Sequence, residues 1–212
     1  MRGVLASHNH YIASGDKKYL NKVTMEKITY ENTGGYKVRN QFGLYFMTFT
    51  VVGWIDIFSR KLYRDIFLKN MMYCRNNKNL RTGAYVIMTN HVHVIWRSET
   101  GRMSDTLRDF KSFCTKEFIM AINNESESRR DWLLYMFRFH ANKSSQNKDF
   151  KIWADGNHPE EIFTEDFMKC KLNYIHENPV RAGIVEKPED YIYSSASNYI
   201  LGKGIFEIDY LF

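Results

Sequence analysis

Two histidines separated by one residue, His91 and His93, have the type and spacing of residues that could do chemistry together. They lie in the run HVHVIW, whose aromatic and β-branched content is typical of a strand. Because a strand has a period of two, both imidazoles would point to one face and Val92 to the other. They could share one divalent cation, such as Mn or Zn, or Mg if oxygen ligands complete the sphere. The simpler alternative is two histidines that are hydrogen-bonded in or near the core.

A second pair, Tyr174 and Asn178, lies in the segment KLNYIHENPV. A helix is predicted over residues 161–177, ending at Asn178 because a residue before proline is pushed away from the helical conformation. Positions four apart are neighbours on a helix, so a phenol and an amide carbonyl would project together. The alternative is a tyrosine at the rim of the core and an asparagine that only ends the helix.

The composition is that of an ordinary globular protein of 212 residues, with 44% hydrophobic and 25% charged residues. No stretch approaches the roughly 18 uninterrupted apolar residues of a membrane span. Membrane-spanning, collagenous and fully disordered chains are therefore excluded as classes. The three cysteines are few and widely separated, and the first residues lack the apolar core of a secretory signal. We therefore expect a reducing, cytoplasmic location.

The net charge of +6 is unevenly distributed. Residues 1–43 contain seven basic and three acidic residues, whereas residues 44–212 contain 23 basic and 21 acidic residues. Residues 1–42 are polar and lack periodicity, so we predict an N-terminal arm or poorly ordered leader followed by one folded domain over residues 43–212.

Hydrophobic periodicity predicts the elements that would position the four residues. In chain order they are a strand over residues 44–53, a helix over 59–76, strands over 84–88 and 91–96, and a helix from Ser104 onward. Thr89 and Asn90 form a tight polar link between the second and third strands. The order strand, helix, strand, strand, helix is the split βαβ arrangement of ferredoxin-like folds.

The segment over residues 123–150 is ambiguous. Its aromatic part fits either a helix or a strand, and a polar loop is predicted over residues 140–148. A returning edge strand is a further option in this region. The final segment, IFEIDYLF, is predicted to pack back on the core.

Four segments together resemble the REP-associated tyrosine transposases, which belong to the single-tyrosine HUH transposases, where HUH denotes histidine, hydrophobic residue, histidine. These segments are TFTVV, TNHVHVIW, FKIWADGNHPEEIF and YIHENPVRAGIVEKPEDYIYSS. His-Val-His alone is a weak signal, but YIxxNPVRAG about eighty residues later makes the combination specific. The resemblance covers about residues 43–201.

The resemblance implies an α+β fold with a ferredoxin-like, RRM-type palm, in which helices cover one face of an antiparallel sheet that carries the HUH strand. A C-terminal helix would complete the active site. His91 and His93 match the family's metal ligands, Tyr174 its nucleophile and Asn178 the third polar ligand. The implied cofactor is a divalent metal, Mg or Mn.

The implied function is that of a metal-dependent single-stranded DNA endonuclease and strand transferase that acts through a 5′-phosphotyrosine. Its substrate would be hairpin-bearing DNA such as repetitive extragenic palindromes, and a homodimer is one option for full strand transfer. Two alternatives stay open: a non-catalytic, domesticated regulator that binds hairpin DNA or RNA, and an HUH replication initiator or relaxase.

Several other residues could contact nucleic acid. Cationic residues of the second helix could bind phosphates, and aromatic residues could stack on unpaired bases. The alternative, which we favour, is a solvated helix face and aromatic residues in the core. Arg181 in NPVRAG would follow the active-site helix, and its role is left open between substrate contact and a structural turn. The residues concerned are Arg108, Lys111, Lys116, Trp96, Phe150 and Trp153.

Overall fold

The strand that carries the two histidines is central in a four-stranded antiparallel sheet. The strands are β1 (Leu44–Thr50), β2 (Leu80–Ile87), β3 (His91–Ser98) and β4 (Glu160–Glu161), in the spatial order β2-β3-β1-β4. The helices are α1 (Lys61–Lys78), α2 (Met103–Asn124), α3 (Arg130–Asn142), α4 (Glu165–Arg181) and α5 (Ala196–Leu201). This computed structural model describes residues 37–143 and 149–211.

Strand order and pairing identify the fold class. β3 pairs antiparallel with both β1 and β2, and β4 pairs antiparallel with the outer side of β1. α1 connects β1 to β2, which are separated in the sheet by β3, as in a split βαβ unit. The predicted ferredoxin-like α+β fold is therefore confirmed.

An aromatic core fills the space between the sheet and helices α1 and α2. Phe49 of β1 lies 6.0 Å from Phe67 of α1 and 5.7 Å from Phe110 of α2, measured between ring centroids. Trp96 of β3 also contacts Phe49, at 5.3 Å. Because neighbouring residues of a strand point to opposite faces, this core directs Thr48 and His93 to the other face of the sheet.

Helix α4 packs on that other face. Its Tyr174 ring lies 5.9 Å from the Phe46 ring of β1. The prediction that the helix ends at Asn178 was wrong, because α4 continues to Arg181 with a buried Pro179 inside it. Proline lacks only its own N–H donor, and the carbonyl oxygens of Asn178 and Pro179 still accept hydrogen bonds from the next turn.

The ambiguous segment forms a helix and then an irregular edge of the sheet. α3 continues to Asn142, so the predicted loop from residue 140 begins too early, and residues 144–148 of that loop lie outside the described residues. The chain then returns along β1, where the Val52 amide donates to Ile152 and the Ala154 amide to Thr50, each at 2.8 Å. The returning edge therefore follows α3 and ends in the two-residue strand β4.

Two end segments contact this domain. Gln41 exchanges hydrogen bonds of 2.9 Å with Ser104 at the start of α2. Residues 1–36 lie outside the described residues, so the predicted domain boundary at residue 42 stays a prediction. Near the C-terminus, Phe206 packs 5.6 Å from the Tyr85 ring, which confirms that this segment returns to the core.

None of the helices within residues 37–143 and 149–211 has the length and apolar character needed to cross a bilayer.

A buried carboxylate holds the connection between α2 and α3 against α1. The Glu127 side chain is 1% exposed and accepts hydrogen bonds from Arg60 at 2.7 Å and Tyr63 at 2.8 Å. Burial raises the pKa of this carboxyl, but the hydrogen bonds from Arg60, the Arg129 backbone and Tyr63 outweigh it and lower the pKa overall. Glu127 is therefore charged and satisfied at neutral pH.

We expect Glu127→Ala to lower the free energy of unfolding by about 2–3 kcal/mol, because charged hydrogen bonds are lost and Tyr63 is left unpaired. Urea denaturation measures this change. The control is Glu125→Ala in the same connection, where the side chain is exposed and the effect should stay within about 0.5 kcal/mol. Equal effects of the two substitutions would contradict the assignment.

Candidate active site

The two histidines lie side by side on the sheet face that α4 covers. The register places His91 opposite Thr50 and His93 opposite Thr48. Their ring centroids are 4.8 Å apart and the ring planes are inclined by 72°. The predicted common direction of the two imidazoles is therefore present in the structure.

Neighbouring polar groups orient both rings through Nδ1. His91 Nδ1 lies 2.7 Å from Asn90 Oδ1, and since a carbonyl oxygen can only accept, Nδ1 carries the proton. His93 Nδ1 lies 2.9 Å from Thr48 Oγ1, a hydroxyl that can accept a hydrogen bond from the ring or donate one to it. In His91 this arrangement leaves Nε2 with a free lone pair, as metal-binding histidines require, and in His93 it does so in the tautomer in which Nδ1 donates to Thr48.

The Nε2 atom of His93 is buried and has no hydrogen-bond partner in the part of the chain that the structure describes. A buried polar atom without a partner costs free energy, so such atoms are uncommon in folded proteins. A purely structural histidine would be expected to satisfy both nitrogens. The unpaired Nε2 therefore fits a ligand position, where a cation would accept the lone pair.

Both imidazoles are held in the neutral form. Burial lowers the pKa of His91, and burial together with the charges of His91 and Lys171 lowers the pKa of His93 to about 3. Neutral imidazole is the form that binds metals. At neutral pH a proton therefore does not compete for either Nε2.

Tyr174 extends from α4 towards the histidine pair. Its ring centroid is 5.1 Å from that of His93, and 37% of its surface is exposed. The next two residues, Ile175 and His176, are buried, whereas the Tyr174 ring contacts Phe46 and His93 at the sheet surface. A histidine pair and a tyrosine from distant parts of the chain thus form one cluster.

Asn178 lies one turn beyond Tyr174 on α4 and is half-buried. Its backbone oxygen accepts from the Ala182 amide at 3.0 Å. Among the described residues, no three His, Cys, Asp or Glu side chains are grouped so that they could hold a metal ion. A cation at His91 and His93 would therefore need oxygen ligands of another kind, such as an amide, water or phosphate. The roles predicted for Tyr174 and Asn178 stay predictions.

Comparison with known proteins gives a likeness of fold. No family model matches the sequence, and no curated protein matches it. The structure is similar to that of a REP-associated tyrosine transposase bound to a REP hairpin, with a TM-score of 0.56 over 83% of this chain and 90% of that chain. The chain has the fold of that transposase. The two sequences are 18% identical, so the likeness establishes the fold alone.

Two cations on the α4 face that carries Tyr174 were missed or left open by sequence reasoning. The Arg181 guanidinium lies 5.1 Å from the centre of the Tyr174 ring. Lys171 lies 4.4 Å from the Phe46 ring and donates to Glu160 at 2.8 Å. Lys171 is three residues before Tyr174 and Arg181 is seven residues after it, which is the spacing of one helix face. This spacing is the sequence signal that could have identified both cations.

The other residues considered for DNA contact separate into two groups. Trp96 and Trp153 are 0% and 6% exposed, so both belong to the core and cannot stack on a base. The cations of α2 and Phe150 line a groove of about 780 Å³ between α2 and the returning edge of the transposase fold. Its cations are Arg108, Lys111, Lys116 and Lys151. The groove adjoins α2, on the side of the sheet opposite Tyr174.

We expect His93 to stay neutral in the folded protein at about pH 5, where an ordinary histidine with a pKa near 6.5 is mostly charged. Because folding lowers this pKa, the unfolded chain binds the extra proton. The free energy of unfolding should therefore fall as the pH drops from about 6.5 towards 3, and the contribution is fully present above that range.

Long-range proton–nitrogen NMR reports the charge and tautomer of each imidazole, and His93→Gln assigns the signal. His91 should show the Nδ1–H tautomer. A protonated His93 at about pH 5 would contradict the buried, neutral arrangement.

Proposed function

We propose that this protein is a single-stranded DNA nickase and strand transferase that acts on hairpin-bearing DNA with Tyr174 as its nucleophile. The observation that supports it is the cluster of Tyr174 with His91 and His93. The ring centroid of His93 lies 5.1 Å from that of Tyr174 and 4.8 Å from that of His91. A phenol beside two neutral, partly buried imidazoles fits phosphoryl transfer to tyrosine.

In the proposed reaction, the Tyr174 oxygen attacks the scissile phosphorus and the phenolic proton is lost. The bond from phosphorus to the 3′ oxygen breaks and that oxygen takes up a proton, equivalent to the one released by the phenol, which leaves a 5′-phosphotyrosine and a free 3′-hydroxyl. Attack by another 3′-hydroxyl on the phosphotyrosine restores the phosphodiester and returns the phenol. The covalent bond preserves the phosphodiester energy, so the cycle needs no ATP.

His91 and His93 would hold a divalent cation, Mg or Mn, through their Nε2 atoms, with Asn178 as the third protein ligand. Such a cation supplies positive charge to a non-bridging oxygen of the scissile phosphate and orients that group. The unpaired Nε2 of His93 supports this assignment. Thr48 and Asn90 would fix the orientation of the two ligand rings.

Lys171 and Arg181 would bind the same phosphate from the helix side. Both lie on the α4 face that carries Tyr174, and Arg181 is exposed. Charge builds up on the phosphate oxygens as the phenol attacks, and nearby fixed cations stabilise that charge. Arg181 in particular would contact the phosphate while its guanidinium packs against the nucleophile's ring.

The substrate is proposed by likeness of fold. The similar transposase was solved with a REP hairpin, and we propose that this chain also binds hairpin DNA with a single-stranded segment at the cleavage point. One tyrosine holds one covalent end at a time, so a full strand transfer would use two subunits or sequential reactions.

A second candidate is a non-catalytic module that binds hairpins. The lack of a third His, Asp or Glu beside the pair within residues 37–143 and 149–211 favours it. Binding of DNA by such a module would depend strongly on salt. Chelators and a change at Tyr174 would leave this binding unaltered.

The deciding experiment is covalent trapping. Wild-type protein is incubated with end-labelled hairpin-bearing single strands and Mg or Mn, and we expect a protein–DNA adduct that survives denaturing electrophoresis. Tyr174→Phe should abolish the adduct because the nucleophilic oxygen is removed. Tyr73→Phe is the matched control, since Tyr73 is exposed on α1, and it should react like the wild type.

An adduct that persists in Tyr174→Phe would exclude Tyr174 as the nucleophile. Salt-sensitive binding with no adduct across a broad panel of hairpins would favour the binding module instead.

We also expect Thr48→Val to weaken Mn binding by roughly 10- to 100-fold, because the partner that orients His93 is lost while the side-chain volume is kept. Titration calorimetry of the DNA-free protein measures this change, and Thr50→Val, at the neighbouring position on the same face of β1, is the control. Unchanged affinity in Thr48→Val would argue against His93 as a ligand.

A further inference from the structure

Trp54 is exposed beside the histidine pair in a way that core packing does not explain. It is 67% exposed and adopts a left-handed backbone, with φ of 56°. Bulky residues rarely adopt this conformation, which persists only where the surrounding structure enforces it. Here the Trp54 amide donates to Val51 at 3.1 Å and the Ile55 amide to Val52 at 3.3 Å, which closes a tight turn after β1.

The turn presents the Trp54 indole at the mouth of the candidate active site. Its ring centroid lies 6.3 Å from that of His91, with the planes inclined by 76°. An exposed indole at this place offers a flat apolar surface next to the position proposed for the scissile phosphate.

A second group of exposed aromatic rings lies on α3. Trp132, Tyr135 and Phe139 are 47%, 65% and 39% exposed. They are spaced three, four and seven residues apart, so they share one face of the helix. The rings of Tyr135 and Phe139 are nearly parallel, with planes inclined by 21° and centroids 6.4 Å apart.

The two groups are continuous through His140. The His140 ring contacts that of Phe139 at 5.6 Å. A Cβ placed on Gly53 would lie 3.0 Å from His140 Nε2, so the end of α3 adjoins the residue that precedes Trp54. We call the set Trp132, Tyr135, Phe139 and Trp54 the aromatic track.

The charge around the track suits a polyanion. Lys143 lies 4.0 Å from the centre of the Phe139 ring, and Arg138 packs on Phe150 at 5.1 Å. Arg138 and Lys143 are both exposed. Flat rings interleaved with cations are the arrangement by which proteins bind single strands, because bases stack on the rings while the cations follow the phosphates.

We propose that the aromatic track binds the unpaired nucleotides next to the cleavage point by stacking, with Trp54 holding the base nearest to the histidine pair. This inference rests on the proposed function, because it assigns the single-stranded part of the same DNA substrate. It also gives a physical reason for single-strand selectivity, since paired bases within a duplex do not offer their faces to the rings. The stacking is tolerant of base identity, because every base has a π-face.

The test is binding of a labelled hairpin that carries a single-stranded flank, measured by fluorescence anisotropy. We expect Trp54→Ala and Tyr135→Ala each to weaken binding roughly tenfold. Tyr73→Ala, which removes an exposed ring from α1, is the matched control and should bind like the wild type. Trp54→Phe should recover most of the affinity, because it keeps a ring at the turn.

A second strand with the same length but abasic sites in the flank separates stacking from other causes. Wild-type protein should bind it at least as weakly as Trp54→Ala binds the normal strand, and Trp54→Ala should then cost nothing more on the abasic strand. An equal loss on both strands would mean that Trp54 acts on the fold or on phosphates, and it would overturn the proposal.

The alternative partner for the exposed aromatic face of α3 is a second copy of the chain. Self-association in sedimentation that Tyr135→Ala abolishes, with DNA affinity unchanged, would assign the face to a dimer and overturn the proposal. Adduct formation by wild-type protein tests the proposed nuclease activity separately. If the wild type forms an adduct and the variants of the aromatic track bind DNA normally, only the proposed role of the track is rejected.

Discussion

The register of β3 between β1 and β2 is the constraint on which the candidate site depends. Because side chains alternate along a strand, a slip of one residue would turn both histidines into the core between the sheet and helices α1 and α2. The rings of Phe49, Trp96 and Phe110 prevent that slip, since they are buried together on the opposite face. The burial that folds the sheet therefore also orients the imidazoles.

The position of Tyr174 depends on a separate set of contacts, which join α4 to the far strand of the sheet. His176 Nε2 lies 2.9 Å from Ser195 Oγ, and the same oxygen accepts from the Tyr85 amide of β2 at 3.0 Å. Burial lowers the pKa of His176 to about 4, so this contact is made by a neutral ring. The histidine of YIHEN thus has a structural role, and it holds the helix that presents the tyrosine.

Local patterns were sufficient to predict the first three strands, the split βαβ order and the common face of His91 and His93, because strand periodicity and short connections are encoded by neighbouring residues. They did not predict β4, whose residue 161 was assigned to the start of a helix. They were insufficient for α3, whose aromatic residues suit a helix or a strand equally and whose start depends on Glu127 meeting Arg60 and Tyr63. They also failed at Pro179, where the packing of α4 overrides a local preference. The place of Trp54 at the site depends on a left-handed turn that no spacing rule signals.

The unpaired Nε2 of His93 sets the balance between stability and function in this sheet. A valine at this central position would remove the buried unpaired nitrogen, although Thr48 would lose its hydrogen-bond partner. The same desolvation that makes the unpaired nitrogen costly also keeps the ring neutral, as its lowered pKa indicates. A ligand that accepts the lone pair would recover the lost interaction without first displacing a proton. The fold itself does not require this buried imidazole. Its free-energy cost is therefore explained by the preorganisation of a binding group.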